Sequence, residues 1–240
     1  MVSILYVCVR PEQGAADAEH QSFRRALGVR GLDRWDLLDH PLDGSIADRY
    51  DGVVVGGSPF NVVSEQRGDL QARVEHDLES IARDAIDGAL AAMFTCFGIG
   101  VVTRMLGGTV GTAVPESTRS TTIRITSAGT ADPVFGPSAP EMSVLTAHKE
   151  GSIEPPPGAV LLASNDDCPV QAYRVGERLY ATQFHPEVTP QDFVDRMAYY
   201  RTTGYFDPHE YDLTAERVIA ASVTGTDVLR RFAGLLSDRA

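Results

Sequence analysis

Cys96 and His185 stand in surroundings that suit covalent chemistry. The cysteine lies in Met93-Phe94-Thr95-Cys96-Phe97-Gly98, just after a short apolar run and just before a helix-like run. The histidine lies in Gln183-Phe184-His185-Pro186-Glu187, at the end of another apolar run, with a carboxylate two residues on. Together the segments offer a nucleophile, a general base and a group to orient the base. Only the thiolate is a strong nucleophile, and a helix N-terminus and a neighbouring imidazole both favour it. Residues two apart in an extended segment point the same way, so His185 and Glu187 can meet. A carboxylate beside an imidazole fixes its tautomer and supports the imidazolium. Cys8 and Cys168 have weaker contexts and read as structural.

The elements around these residues must place both at strand ends. Val2 to Val9 is a β-branched run that suits a buried parallel strand, followed by a helix over Ala15 to Val29 and a strand over Asp33 to Leu38. Asp51 to Gly57 reads as a strand that ends in glycines, and Gly68 to Asp87 as a helix with Leu70, Val74, Leu78, Ile81 and Ile86 at helical spacing. Ala89 to Phe94 is a further strand and Phe97 to Leu106 a further helix. This alternation implies an α/β fold, with a parallel sheet covered on both faces. After Gly107-Gly108 the pattern becomes strand-rich and partly antiparallel. Strands are predicted over Thr109 to Val114, Thr118 to Ser127, Met142 to Ala147, Val160 to Ala163, Val170 to Val175 and Arg178 to Phe184. Thr189 to Tyr200 reads as a helix with Thr189 or Pro190 at its start. Residues 1–203 then form the main domain and 204–240 a helical C-terminal extension, with helices over Thr214 to Ser222 and Thr226 to Leu236. In such sheets ligands bind at the C-terminal strand ends, where Cys96 and His185 both fall. A sharp strand-to-helix turn would hold the sulfur out, Gly98 would keep that turn free of a side-chain clash, and the amides opening the helix could bind an oxyanion.

Composition narrows the classes of partner. The chain has 240 residues, a formal net charge of -12 and a sequence pI near 4.9, with no basic run to neutralise nucleic-acid phosphates. Three cysteines without tight spacing argue against a disulfide framework and against a zinc site. The reading is therefore a cytoplasmic protein with no metal, no nucleic acid and no membrane span. The apolar N-terminus is short, has no basic region before it, and reads as a first strand rather than a signal peptide.

Three blocks together resemble the class I glutamine amidotransferases with a Cys-His-Glu triad, and most nearly the stand-alone type of the GMP synthetase glutaminase domain. Asp51-Gly52-Val53-Val54-Val55-Gly56-Gly57-Ser58-Pro59 resembles the family's glycine-rich oxyanion strand. Cys96-Phe97-Gly98 with Leu106-Gly107-Gly108 resembles its nucleophile elbow and the helix after it, and Gln183 to Glu187 its His-Pro-Glu block. Ala147-His148-Lys149-Glu150 is a fourth, weaker match, and the likeness runs from about residue 2 to about 201. The resemblance implies a flavodoxin-like, mostly parallel central sheet with helices on both faces and a smaller antiparallel portion. It implies Cys96 as nucleophile, His185 as base, Glu187 as orienter, and the backbone amides of Gly57 and Phe97 as oxyanion donors. Gly56, Ser58, Phe94, Gly100 and His148 fall at its substrate-binding positions. It implies no cofactor.

Two positions depart from that pattern. Phe94 stands where the family has glycine, and Gly100 where it has a substrate-contacting glutamine. Phe94 is expected to crowd the elbow or reshape the pocket, and Gly100 to remove substrate hydrogen bonds. The functions implied are release of ammonia from glutamine for a separate synthetase chain, or γ-glutamyl peptide hydrolysis with no acceptor. A catalytically weak relative that binds a protein partner is the third, favoured by Phe94 and Gly100. No Gly-x-x-x-x-Gly-Lys ATP loop is present, so an ammonia acceptor site would lie on another chain.

Overall fold

The first apolar run forms β1 (Ile4–Cys8), with every residue buried. In the computed structural model, which describes residues 2–202 and 206–237, it leads into α1 (Gln13–Leu27) and β2 (Asp33–Asp36). The chain continues through β3 (Gly52–Val55), α2 (Asp69–Ile86), β4 (Ala91–Thr95) and α3 (Phe97–Met105). There follow β5 (Val110–Gly111), β6 (Glu116–Ile125), the short α4 (Ser127–Thr130), β7 (Glu141–His148), β8 (Gly151–Ser152) and β9 (Ala159–Ser164). The last elements are β10 (Ala172–Val175), β11 (Leu179–Thr182), α5 (Pro190–Tyr199), α6 (Tyr211–Ile219) and α7 (Asp227–Ser237).

One sheet carries nine strands in the order β2-β1-β3-β4-β11-β10-β9-β6-β7. The pairs from β2 through β11 are parallel, and those from β11 through β7 antiparallel. The parallel part has the flavodoxin-type order, whose ligand crevice opens where the connections diverge, between β1 and β3. The smaller antiparallel portion expected from the sequence is present and continues this sheet; among the described residues β5 and β8 pair apart from it.

The two-residue period of the strands divides the core. Val7, Val53, Val55 and Phe94 face Val74, Leu78 and Ile81 of α2, while Tyr6, Val54, Met93 and Tyr180 face Phe23 of α1 and Phe232 of α7. Thus α7 is part of the main core. Two expectations shift. Leu70 is 46% exposed, since the first turn of α2 turns Gln71 inward, where its amide donates to Asn61 O and to Glu75. The strand expected over Thr109 to Val114 shortens to β5, because its only strand partner is the two-residue β8.

Candidate active site

β3, β4 and β11 are neighbours in the sheet, so their C-terminal ends bring Gly57, Cys96 and His185 together. Thr95 Oγ1 donates to Val55 O and Cys96 N–H to Thr182 O, which ties the three ends to one another. Cys96 caps α3 with φ 52° and ψ −100°, and among the described residues no other non-glycine has positive φ. Holding a side chain there costs on the order of 1–3 kcal/mol. The surrounding packing sustains it: a Cβ on Gly98 would come within 2.9 Å of Phe94 Cβ. Phe97 N–H opens α3 and has no helical carbonyl four residues before it, so it is a free donor beside the sulfur.

His185 is held from two sides. Its N–H donates to Leu145 O, and its Nδ1 lies 2.8 Å from Glu187 Oε1. That contact fixes Nδ1–H toward the carboxylate and leaves Nε2 for the Cys96 side. Burial lowers the imidazole pKa, but the charges of Glu187 and Cys96 outweigh it and raise the value to about 9. Burial likewise raises Glu187, but His185 and Arg196 hold it at about 2.

Behind the pair lies a buried charge network. Arg196 Nη1 donates to Glu187 Oε1 at 2.9 Å and reaches Glu19 Oε1 at 3.1 Å. Arg10 meets the same Glu19 oxygen at 2.8 Å, and Tyr6 OH donates to the other at 2.7 Å. Burial raises the Glu19 pKa, but Arg10 and Arg196 lower it overall. Local sequence sets these positions. Thr189 and Asp192 form a capping box that starts α5 and turns Arg196 inward; Arg10 follows β1 at the crevice. Glu19 shares an α1 face with Ala15, Ala16 and Phe23.

The glycines of the β3 turn are required by this crowding. A Cβ on Gly56 would lie 2.2 Å from Glu19 Oε2, and one on Gly57 3.0 Å from His185 Cε1. Gly57 N–H donates to Glu19 Oε1 at 3.4 Å, so in this structure it is turned toward α1.

Cys96 borders two cavities. One, of about 80 Å³, includes Arg10, Ser58, His185, Phe193, Arg196 and Tyr200 in its wall. The other, of about 10 Å³, includes Ser58, Phe97, Gly100, His148, Glu150 and Gln183. A single water needs roughly 10–15 Å³ on this measure, so the second is nearly closed. The space beside Gly100 is taken by Val62, whose Cγ2 would sit 3.1 Å from an added Cβ. Val62 and Val63 are held there by their N–H groups, which donate to the Glu150 carboxylate. Burial raises the Glu150 pKa.

Of the residues expected in the site, Cys96, His185, Glu187, Gly57, Phe97, Gly56, Ser58 and Gly100 are brought together. Phe94 is not: it is fully buried in the core beneath Gly98 and borders neither cavity. His148 borders the smaller cavity, yet both ring nitrogens are engaged, Nδ1 with Glu150 O and Nε2 with Glu116. Sequence reasoning missed Arg10, Glu19 and Arg196. The legible signals were a glutamate on the apolar face of α1 and an arginine between Phe193 and Met197 on the apolar face of α5. Among the described residues two sets of atoms have metal-ligand proximity, Glu19–His185–Glu187 and Glu116–His148–Cys168, but their carboxylates are already engaged by arginine, histidine and amide donors.

Residues 21–200 match the family model of glutamine amidotransferase class-I. The chain belongs to that family. As a class I glutamine amidotransferase it is 27% identical over 190 residues to γ-glutamyl peptidase 3 of Arabidopsis thaliana, covering 73% of this chain and 72% of that one. It is 32% identical over 150 residues to the glutamine-hydrolysing GMP synthase of Cytophaga hutchinsonii, covering 62% of this chain but only 26% of that longer one. A glutamine amidotransferase crystal structure from Thermotoga maritima superposes with a TM-score of 0.75 at 17% identity, covering 98% of this chain and 97% of that one, which establishes the shared fold. No helix among the described residues is long and apolar enough to cross a membrane.

Proposed function

We propose that this class I glutamine amidotransferase cleaves γ-glutamyl amide bonds through a thioester on Cys96. The observation that carries the reading is the placement of Cys96, at positive φ on a helix N-terminus, in one cavity wall with an imidazole bonded to a buried carboxylate. Cys96 Sγ attacks the γ-carbonyl carbon and His185 takes the thiol proton. The oxyanion is held by Phe97 N–H, joined by Gly57 N–H once that amide turns from Glu19. The C–N bond breaks as His185 returns the proton to the leaving nitrogen. Water then enters, His185 acts again as base, and glutamate leaves. Glu187 orients His185, and Arg196 positions Glu187.

The acyl group lies on the smaller cavity's side, since the leaving nitrogen must stay beside His185, which borders only the larger. Glu150 then offers a carboxylate for the glutamyl ammonium, and the Val62 turn must shift to admit it. Two kinds of relative bear on the leaving group: the GMP synthases suggest ammonia delivered to a synthetase chain, and the γ-glutamyl peptidase an amino acid released with no acceptor. Rapid acid quench during turnover of glutamine and of γ-glutamyl dipeptides, followed by peptide mass analysis, is expected to show one γ-glutamyl group on Cys96. Turnover at the wild-type rate by Cys96→Ala would rule the mechanism out.

A further inference from the structure

The larger cavity holds more than ammonia requires, and its charge is of one sign. Arg10 and Arg196 border it, with side chains 6% and 5% exposed. Arg196 spends Nη1 on Glu19 and Glu187, while its Nε and Nη2 are buried without a partner. A buried guanidinium left short of acceptors is costly unless a ligand supplies them. Arg10 and Arg196 meet Glu19 and Glu187 in one network, and no carboxylate among the described residues borders the cavity itself. Arg10 Nη2 would lie 2.8 Å from a Cβ on Gly57, so this cation stands beside the oxyanion turn. It also follows β1, at the crevice between β1 and β3. Lys149, Ser58 and Thr118 also border it, and Phe193, Met197, Phe206 and the Tyr200 ring make its apolar part, with the Tyr200 hydroxyl bonded to Arg10 and Glu12.

We infer that this cavity is a leaving-group subsite for an amino acid, with Arg10 and Arg196 binding its α-carboxylate and the aromatic wall its apolar side chain. The inference rests on the γ-glutamyl amidase reading and narrows it to γ-glutamyl dipeptides whose second residue is apolar and has a free carboxylate. Planar guanidinium groups suit this task because they pair with a carboxylate in a fixed fork. In the first half-reaction the amino acid leaves with the proton from His185, and its carboxylate stays on the arginines until it departs.

The test compares γ-Glu-Leu with γ-Glu-Leu amide, which differ only in the charge of that carboxylate. With Cys96→Ala, calorimetric titration is expected to show the free acid binding at least about tenfold more tightly than the amide. Adding Arg10→Gln should lower the ratio by at least about threefold, Arg196 remaining in place; Arg10→Lys, which keeps a cation for Glu19, should lower it by a smaller amount. If Arg10→Gln does not fold, the ligand pair and Arg10→Lys decide the matter. Equal binding of acid and amide to Cys96→Ala overturns the subsite, as does a ratio that Arg10→Lys leaves unchanged. The unmodified chain separates this failure from failure of the underlying reading. Equal cleavage of acid and amide leaves the amidase standing and the subsite refuted. Selective binding of the acid with no cleavage of glutamine or of either peptide leaves the subsite standing and the amidase refuted.

Discussion

The described residues contain two Cys-His-Glu clusters. In one, Cys96 faces His185, which is bonded to Glu187; in the other, Cys168 lies close to His148, which is bonded to Glu116. Both histidine–carboxylate pairs are buried, at 2.8 and 2.9 Å. The difference lies in what is left over. His185 keeps one ring nitrogen on the side of a cysteine held at a helix N-terminus beside a cavity. His148 has both nitrogens engaged, and Asn165 and Gln171 also donate to Glu116. Cys168 donates to Val170 O, and burial pushes its thiol up to about 12. Residue types alone therefore do not mark a reactive triad; the proposed one rests on an uncommitted nitrogen and on a half-buried sulfur beside a cavity.

The largest test of that contrast exchanges the two histidines' fates. His185→Ala is expected to lower kcat/KM by roughly 10⁴, and Glu187→Gln by less, since the orienter acts through the base. His148→Asn should change turnover per folded molecule by no more than about threefold, while costing ~1–3 kcal/mol by unpairing Glu116. Steady-state kinetics with urea unfolding on the same preparations checks both halves, and comparable kcat losses at both histidines would erase the distinction.

Thiol labelling sharpens it next. The shift of Cys168 to about 12 leaves it roughly 10³-fold less thiolate than an ordinary thiol at neutral pH. Cys8, pushed up to about 11 by burial and Glu19, should also be slow. A limiting reagent followed by peptide mapping is expected to find Cys96 labelled first, and early label on Cys168 in folded protein would contradict this.

The smallest expected effect is on stability against pH. His185 is raised, so its contribution is full below its unfolded value near 6.5 and is lost as pH rises through about 9. Glu187 is depressed, so its contribution is present above about 4.5 and is lost as pH falls through about 2. The pair should therefore stabilise most between about pH 4.5 and 6.5, by about 3 kcal/mol as a single shared interaction. Denaturant unfolding from pH 6.5 to 9 should fall more steeply for wild type than for Glu187→Gln. Parallel curves would mean the imidazole gains nothing from its carboxylate.

Periodicity made most of the parallel strands and their helices legible, because β1, β3 and β4 are apolar runs and the turns after β3 and β4 carry glycine or the cysteine, while β2 at the sheet edge is Asp-Arg-Trp-Asp. The triad positions were legible because strand ends place them. What escaped the sequence are relations between distant side chains. Phe94 reads as a pocket residue by its nearness to Cys96, but its backbone register turns it into the core, so removing its ring would empty packing space rather than open the site. Gly100 reads as a lost hydrogen bond, while in the fold Val62 takes the room a side chain there would use. A charged residue on the apolar face of α1 and another on that of α5 were there to read, but no local pattern says that Glu19 and Arg196 pair with each other.

The docking of α7 has a consequence for synthesis. Val228, Leu229, Phe232 and Leu236 complete the face of the sheet that β1 and β3 begin, and Leu236 Cδ1 would lie 2.6 Å from a Cβ on Gly52. Translation makes the strands long before α7, so a nascent chain carries this part of the apolar surface bare until α7 leaves the ribosome. A message cut short before that helix would yield a product with every triad residue and an uncovered sheet, which suits it to chaperone capture or aggregation more than to turnover.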